Sequence, residues 1–430
     1  MESVLAYIYT FLIGYQLYKI WKDKTRLTYF SPITFFCIYF SYYILYPYYF
    51  SDTDIYGYAE NHGAGEYTLF FTGAIINFIG IIIGFYWIKR KYNLTGINSV
   101  YNLKNGRALA YLLFAIGFIA YYSFNDFSID LIREQDDFFD SSEHRFYHGT
   151  AYLTSLISLF PAVACLLYAT KAPKVLIAIL CVIVISISVI SGSRVKLILF
   201  LVPFLVFIHL YPHLRKPNFK LYLPLLVVAY ILMGFVEKTR NYGFGLDVDK
   251  LGNLSVLDYQ DTKAHEAEYV YYFSSRTMNV YKKAEPMLWD VLGTAVFAPV
   301  PRSFFPNKPD AQYLRDANIR VLGTDVHGAA YLNIVEGYLA FGWLGVLING
   351  LCLGWLARMF WTNYKRNPRS IGAVLFLGMF EGVSFVLISR GYLAQELTVF
   401  MYHIPIVYFI SKYMGKFWIG TKSFLFKKLR

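Results

Sequence analysis

Long runs of apolar residues, separated by polar segments, restrict this chain more than any other feature of its sequence. A helix needs about 20 such residues to cross the hydrocarbon core of a bilayer. We predict eleven spans, within a range of ten to twelve, at residues 3–18, 27–50, 67–88, 108–125, 149–169, 175–191, 195–211, 221–236, 338–360, 370–389 and 394–414. The predicted fold class is an all-α polytopic membrane protein.

The composition agrees with this prediction, because few polar side chains remain to cover a water-soluble core. Of the 430 residues, 57% are hydrophobic and only 16% are charged, whereas ordinary soluble domains carry roughly 25% charged residues. Disordered chains, disulfide-rich secreted scaffolds and most soluble enzyme folds are therefore excluded. The four cysteines lie inside apolar runs and show no metal-binding or redox spacing.

The basic residues are divided unevenly between the two sides of the predicted bundle. One set of loops, together with the C-terminal tail, holds 24 of the 40 Lys and Arg residues, and the short loops on the opposite side hold five. Cytoplasmic loops are enriched in Lys and Arg, so the N-terminus is predicted outside and the C-terminus in the cytoplasm. Most of the net charge of +12 is then an orientation signal, and it requires no nucleic-acid partner.

One outside segment differs from the short loops in length and charge. Residues 237–330 form a predicted loop between the helices of 1–236 and those of 331–430, and the loop carries eleven basic residues. Within it, residues 264–283 are amphipathic, which predicts a helix at the membrane interface. Residues 299–309 contain four prolines and predict a shaped, non-helical segment. We expect the functional elements of the chain to include this loop.

Five arginines on the outside face are candidates for an anion-binding site: Arg194, Arg240, Arg276, Arg302 and Arg390. Guanidinium groups match phosphate oxygens in a bidentate manner and keep their charge. A charge at the bilayer centre costs about 2.5–3.5 kcal/mol, which favours a partner or a wet cavity, although snorkelling to the interface is an alternative. The anion that suits a membrane boundary is a lipid-linked phosphate or diphosphate, whose departing charge arginines can stabilise.

Two titratable residues follow the loop arginines. His327 precedes an apolar helix, where an imidazole with an unperturbed pKa of about 6.5 could accept a proton from a sugar hydroxyl; a solvated histidine in a capping loop is the alternative. Glu336 lies inside an apolar run, and structural pairing and direct catalysis both remain open for it. We predict no metal site and no cofactor, because no nucleotide-binding motif is present. Two acid-x-acid tripeptides, Asp52-Thr53-Asp54 and Asp247-Val248-Asp249, resemble the divalent-metal sites of some glycosyltransferases, but solvated loop carboxylates are the favoured interpretation.

Six short segments, in their order and spacing around the large loop, resemble the Wzy-type polymerases of O-antigen and oligosaccharide repeat units. The resemblance covers residues 185–400, and the N-terminal third only by topology. The segments are SGSR, EKTRNYG, SSRTMNVY, PRSFFPNKP, EGYLAFGWLGV and SRGYLAQE. The resemblance implies a multi-pass protein of the bacterial inner membrane with a GT-C-like glycosyltransferase architecture.

The resemblance also implies an inverting, metal-independent glycosyl transfer at the periplasmic face. Donor and acceptor are both expected to be undecaprenyl-diphosphate-linked oligosaccharides, and a Wzz-type chain-length co-polymerase is a candidate partner. The positions that match basic residues of the family are Arg194, Arg240, Arg276, Arg390 and, in the proline-rich segment, Arg302. His327 is placed like a proposed base.

Two other functions stay open at this point. The related O-antigen ligases share the large loop and the arginines but use lipid A-core as acceptor. A flippase or other transporter of the same lipid is the non-enzymatic alternative, although transporters usually contain related halves, which are not visible in this sequence. A structural membrane scaffold is a third class, and it gives no reason for arginines on the acidic face.

Overall fold

Helices satisfy the backbone hydrogen bonds of the chain internally, as a bilayer core without water requires. The computed structural model describes residues 1–23, 27–50, 66–87, 103–124, 159–190, 194–211, 266–282, 285–298, 312–322, 330–368 and 370–389, with single positions at 156, 300, 304, 305, 307, 309, 391, 393 and 397. These residues contain no strand, which confirms the all-helical prediction for this part of the chain.

The α-helices of the described residues are numbered here in chain order. They are α1 (Glu2–Lys22), α2 (Pro32–Phe40), α3 (Tyr46–Phe50), α4 (Glu66–Tyr86), α5 (Leu103–Phe124), α6 (Phe160–Ala169), α7 (Lys174–Ile190), α8 (Arg194–Leu210), α9 (Glu266–Val280), α10 (Leu288–Phe297), α11 (Gln312–Leu322), α12 (Asn333–Arg366) and α13 (Ile371–Ser389). A π-helical turn joins α2 to α3.

Three of these helices are long and apolar enough to cross a membrane, namely α4 from Tyr67 onwards, α12 and α13. Shorter apolar stretches lie where the sequence predicts further spans, namely Gly106–Ala120 within α5, Phe160–Ala169 (α6), Lys174–Ser188 within α7 and Lys196–Leu210 within α8. The predicted spans at 221–236 and 394–414 lie outside the described residues. The structure therefore supports a polytopic membrane fold, and the number of eleven spans remains a prediction.

Glycines bring α4 and α12 into backbone contact over two helical turns: Gly80, Gly84, Gly350 and Gly354. A Cβ atom at Gly350 would overlap the backbone of Asn77, and a Cβ atom at Gly354 would overlap that of Ile81. The amide of Asn77 donates a hydrogen bond to the Val346 carbonyl at 3.1 Å. Small residues allow this close approach between membrane helices, and their order shows that α4 and this part of α12 run parallel.

The helix α12 is broken by a sharp turn near its N-terminus. Gly342 has a φ of 58° and a ψ of −143°, a conformation that favours glycine, and Phe341 is also non-helical. The turn separates a short arm, residues 333–340, from a long arm, residues 343–366. The sequence predicted one uninterrupted span from 338 to 360, so the turn is a feature that the apolar pattern did not indicate.

The short arm folds back along the long arm as an antiparallel hairpin. Sixteen residues of straight helix would separate Asn333 from Asn349 by about 24 Å, yet the Asn333 amide donates to Asn349 Oδ1 at 2.8 Å. Nearer the turn, Gly337 and Gly345 lie against each other's backbone without room for a side chain. The hairpin places Glu336, on its short arm, beside the loop helices and not along a continuous span.

The helix α9 is packed inside the protein, which corrects the prediction that residues 264–283 lie at the membrane interface. Most of its residues are buried, and Tyr271 stacks on Tyr67 of α4 with ring centroids 5.3 Å apart. Its polar stripe can be buried because hydroxyl groups donate to carbonyls of the same helix, as Ser274 does to Val270 at 2.6 Å. Buried polar groups that are hydrogen-bonded in this way carry little penalty.

Candidate functional site

The structure describes the side chains of two predicted site residues, Arg276 on α9 and Glu336 on the short arm. The other candidates have side chains outside the described residues: Arg194, whose backbone begins α8, Arg240, Arg302, His327 and Arg390. Arg390 nevertheless lies between two described positions, Ser389 at the end of α13 and Gly391.

Arg276 presents an unsatisfied guanidinium from the buried helix α9. Its Nη1 donates to the hydroxyl of Tyr272 at 3.2 Å, and its Nε is buried without an acceptor. In the part of the chain that the structure describes, no carboxylate forms an ion pair with Arg276. A guanidinium has only donors, and a buried donor without an acceptor is costly. The site is therefore suited to an anion that supplies the missing acceptor oxygens.

The first turn of the short arm is the junction at which the elements bearing predicted site residues meet. The backbone N–H of Leu332 donates to Ser274 Oγ of α9 at 2.9 Å. The N–H of Gly391, next to Arg390, donates to the Tyr331 carbonyl at 2.7 Å. A side chain at position 391 would overlap the backbone of Asn333. The Arg276 helix and Gly391, the residue that follows Arg390 in the sequence, are thus both attached to residues 331–333.

Glu336 completes this junction with two short hydrogen bonds. The hydroxyl of Tyr313, on α11, donates to Glu336 Oε1 at 2.6 Å, and the N–H of Leu393 donates to Oε2 at 2.6 Å. The side chain is 3% exposed. Because each oxygen accepts a hydrogen bond from the protein, the carboxyl group joins α11 and the segment after α13 to the short arm.

A second arginine of the loop is engaged differently from Arg276. The guanidinium of Arg320, on α11, lies 5.2 Å from the ring centroid of Tyr281, which follows α9. Burial raises the pKa of the Tyr281 phenol, Arg320 opposes this rise, and Asp316 adds to it. Arg320 is exposed at the surface, and the contact joins α11 to the C-terminal end of α9 at a place distinct from the Glu336 junction.

Two residues of the junction were not predicted as site residues. Ser274 stood in the segment that carries Arg276, but its hydroxyl gave no indication of a contact with residue 332. Tyr313 lies in a polar, amphipathic stretch and had no signal in the sequence, since its bond to Glu336 spans 23 residues.

Among the described residues, no group of three or more His, Cys, Asp and Glu side chains could hold a metal ion.

The arrangement combines a guanidinium able to bind an anion with a junction that fixes two arginine-bearing elements near one another. It suits recognition of a phosphate or diphosphate. No curated protein and no solved structure matches the chain. The family model described as O-antigen polysaccharide polymerase Wzy matches residues 1–422. This match covers nearly the whole chain, including both arms of α12 and the loop helices, and we conclude that the chain belongs to the O-antigen polysaccharide polymerase Wzy family.

Proposed function

We propose that this inner-membrane O-antigen polymerase joins undecaprenyl-diphosphate-linked oligosaccharide repeat units by inverting, metal-independent glycosyl transfer at the periplasmic face. The acceptor hydroxyl attacks the anomeric carbon of the donor glycan, and the bond from that carbon to the diphosphate oxygen breaks. The growing glycan is transferred to the acceptor, while undecaprenyl diphosphate leaves with the bonding electrons. No nucleotide is required, because the diphosphate ester supplies the driving force.

The observation that carries this proposal is the guanidinium of Arg276, whose buried Nε has no acceptor among the described residues. Negative charge increases on the diphosphate as the glycosidic bond breaks, and preorganised cationic donors stabilise that charge. Arg276 has an open donor for it, with Arg390 on a turn attached to the same junction. Arg194, Arg240 and Arg302 complete the proposed diphosphate site.

In this proposal His327 is the base that accepts the proton of the attacking hydroxyl. Glu336, the other candidate for this role, is better placed as a positioning residue. Both of its oxygens already accept hydrogen bonds from Tyr313 and Leu393. A general base must instead lie within hydrogen-bond reach of the hydroxyl it deprotonates.

The wider architecture of the proposal follows the sequence predictions. Eleven spans in a GT-C-like arrangement would place the N-terminus in the periplasm and the C-terminus in the cytoplasm, with residues 237–330 as the periplasmic loop. A Wzz-type co-polymerase is a proposed partner that limits chain length. The match to polymerases favours a lipid-linked acceptor over the lipid A-core acceptor of the ligases.

The test uses the purified full chain in nanodiscs with a diphosphate-linked repeat unit as both donor and acceptor. We expect a ladder of lengthening glycans in the presence of a chelator and without nucleotide. Arg276→Ala should abolish the ladder, and Arg276→Lys should reduce it, since lysine keeps the charge without the bidentate fork. Arg320→Ala is the matched control, because Arg320 belongs to the same loop but lies over a tyrosine ring.

Three results would contradict the proposal. An undiminished ladder from folded Arg276→Ala protein would remove Arg276 from the diphosphate site. Loss of the ladder on chelation alone would contradict metal independence. Accumulation of single lipid-linked units in the inner leaflet of a deletion strain would indicate a flippase, whereas accumulation in the outer leaflet agrees with a polymerase.

A further inference from the structure

The loop helix α10 exposes an apolar face that nothing else in the described structure covers. Trp289, Leu292 and Val296 are spaced three and four residues apart, which places them on one side of the helix. Trp289 is 81% exposed and Val296 is 62% exposed. On the opposite side, Val291 and Ala295 are buried against the protein. The helix is therefore apolar on its outward side as well as on its buried side, unlike a helix that faces water.

The start of α10 is joined to α12 close to exposed apolar residues of that helix. The N–H of Met287, immediately before α10, donates to the Leu339 carbonyl of the short arm at 2.9 Å. Two residues later the hairpin turns, and its tip exposes Phe341 and Trp343. Leu344 and other exposed apolar residues continue along the long arm, which is part of a helix apolar enough to span a membrane.

The length of the long arm sets the depth of the hairpin tip. From Trp343 to Lys365 the helix rises about 33 Å, slightly more than the hydrocarbon core of about 30 Å. With Lys365 and Arg366 at one membrane surface, the tip lies at the other surface, where aromatic residues are enriched. The start of α10, hydrogen-bonded two residues from the tip, then lies at the same level.

We propose that α10 is an interfacial helix whose Trp289–Leu292–Val296 face inserts among the lipid chains of the leaflet that the hairpin tip reaches, the outer leaflet in the predicted topology. Such helices lie in the membrane plane with their apolar side about 5–10 Å below the headgroups. The helix contains no Lys or Arg, and its single charge is Asp290. The contact is thus with lipid chains and does not depend on anionic headgroups.

The position of Asp290 agrees with this orientation. It is exposed on the flank of the helix, about 100° around from Trp289, so it can remain in the headgroup layer while the apolar face is inserted. An exposed apolar stripe of this kind facing water would favour aggregation. Insertion also holds the Arg276-bearing loop against the leaflet that contains a lipid-linked substrate.

The experiment measures collision rates of a spin label with oxygen, which concentrates in lipid, and with a water-soluble nickel chelate. Cys181 and Cys352, the two cysteines that are not buried, are first replaced by serine in the full chain, which is reconstituted in phosphatidylcholine vesicles. Labels are then placed by Val296→Cys or Leu292→Cys on the apolar face and by Asp290→Cys on the flank.

We expect both apolar-face labels to collide readily with oxygen and several-fold less with the nickel chelate than the Asp290→Cys label does. Ala295→Cys, at a buried position, calibrates the low rates of a label covered by protein. Nickel collision at position 296 equal to that at position 290 would place the face in water and overturn the proposal. Low rates with both reagents at positions 292 and 296 would also overturn it, since a second copy or another protein would then cover the face.

Discussion

Replacement of Gly354 by alanine tests the backbone contact between α4 and α12. An added Cβ atom would lie 2.9 Å from both the carbonyl carbon and the Cα of Ile81, and closer still to its carbonyl oxygen. Ordinary contact begins at 3.4 Å, and the obstructing atoms are backbone, which cannot rotate away. The two helices must therefore separate by at least about 0.5 Å, and overpacking of this kind costs about 1–3 kcal/mol.

The matched control is Gly14→Ala on α1, because a Cβ atom at Gly14 meets nothing within 4 Å. Alanine gains about 1 kcal/mol over glycine in a helix at either position. This gain cancels in the difference between the two variants, and the difference of about 1–3 kcal/mol measures the steric term alone. We expect Gly14→Ala to be as stable as the parent or more stable, and Gly354→Ala to be the less stable of the pair.

The assay is reversible unfolding in mixed micelles of mild detergent and dodecyl sulfate, followed by near-ultraviolet circular dichroism. The many tyrosines and phenylalanines of the chain provide the signal. Equal unfolding midpoints for Gly354→Ala and Gly14→Ala would refute the reasoning, because the helices would then have room for a methyl group between them.

Three further predictions concern the junction. Tyr313→Phe removes the donor to Glu336 Oε1 and should lower the free energy of unfolding by about 1–3 kcal/mol, measured by the same detergent titration. Glu336→Gln should weaken binding of the segment after α13 but leave the pH profile of polymerisation unchanged. Loss of the acidic limb of that profile, the fall in rate as a general base becomes protonated, would identify Glu336 as the base instead. Gly391→Ala should displace the adjoining Arg390 turn from Asn333 and reduce the glycan ladder, whereas an unchanged ladder would show that the turn tolerates displacement.

The predicted spans agree with the described helices to within a few residues in several cases. The prediction of 370–389 corresponds to α13 at Ile371–Ser389, and 67–88 corresponds to α4 at Glu66–Tyr86. The ends of both helices are determined by neighbouring residues in the sequence, since an apolar run ends where polar or charged residues begin. A sequence contains that information directly, and length alone decides that such a run can cross a membrane.

The hairpin in α12 was not predictable in the same way. Its two arms are both apolar. The turn at Phe341 and Gly342 lies inside the apolar run, and Gly342 is only one of several glycines in that run, so neither the hydropathy nor a glycine marks the turn. The decisive contacts are between Asn333 and Asn349 and between Gly337 and Gly345, pairs that face each other only after the chain has folded back. Non-local contacts of this kind leave no periodic signal in the sequence.

The burial of α9 shows a second limit. Serine and threonine count as polar in a hydropathy pattern. A segment that combines aromatic and hydroxyl residues therefore predicts a helix with one side facing water. In the structure Ser274 and Thr277 donate to carbonyls one turn earlier, and most of the helix, including its hydroxyl residues, is buried. The arginine candidate of this helix was predicted from its place on the outside face and from the family resemblance, but its open donor became visible only in three dimensions.

The way the junction is held together explains how Arg276 can remain available to a substrate. Its elements are joined by backbone amides, a serine hydroxyl and the phenol of Tyr313. The carboxylate of Glu336 is satisfied by Tyr313 and Leu393 and forms no ion pair with Arg276. A carboxylate paired with that guanidinium would compete with a diphosphate for the same donors. The groups that position an anion-binding arginine should therefore be neutral, or be carboxylates whose oxygens already accept hydrogen bonds from other residues. Positioning by hydrogen bonds at the junction meets this requirement, and among the described residues it leaves Arg276 without a carboxylate partner.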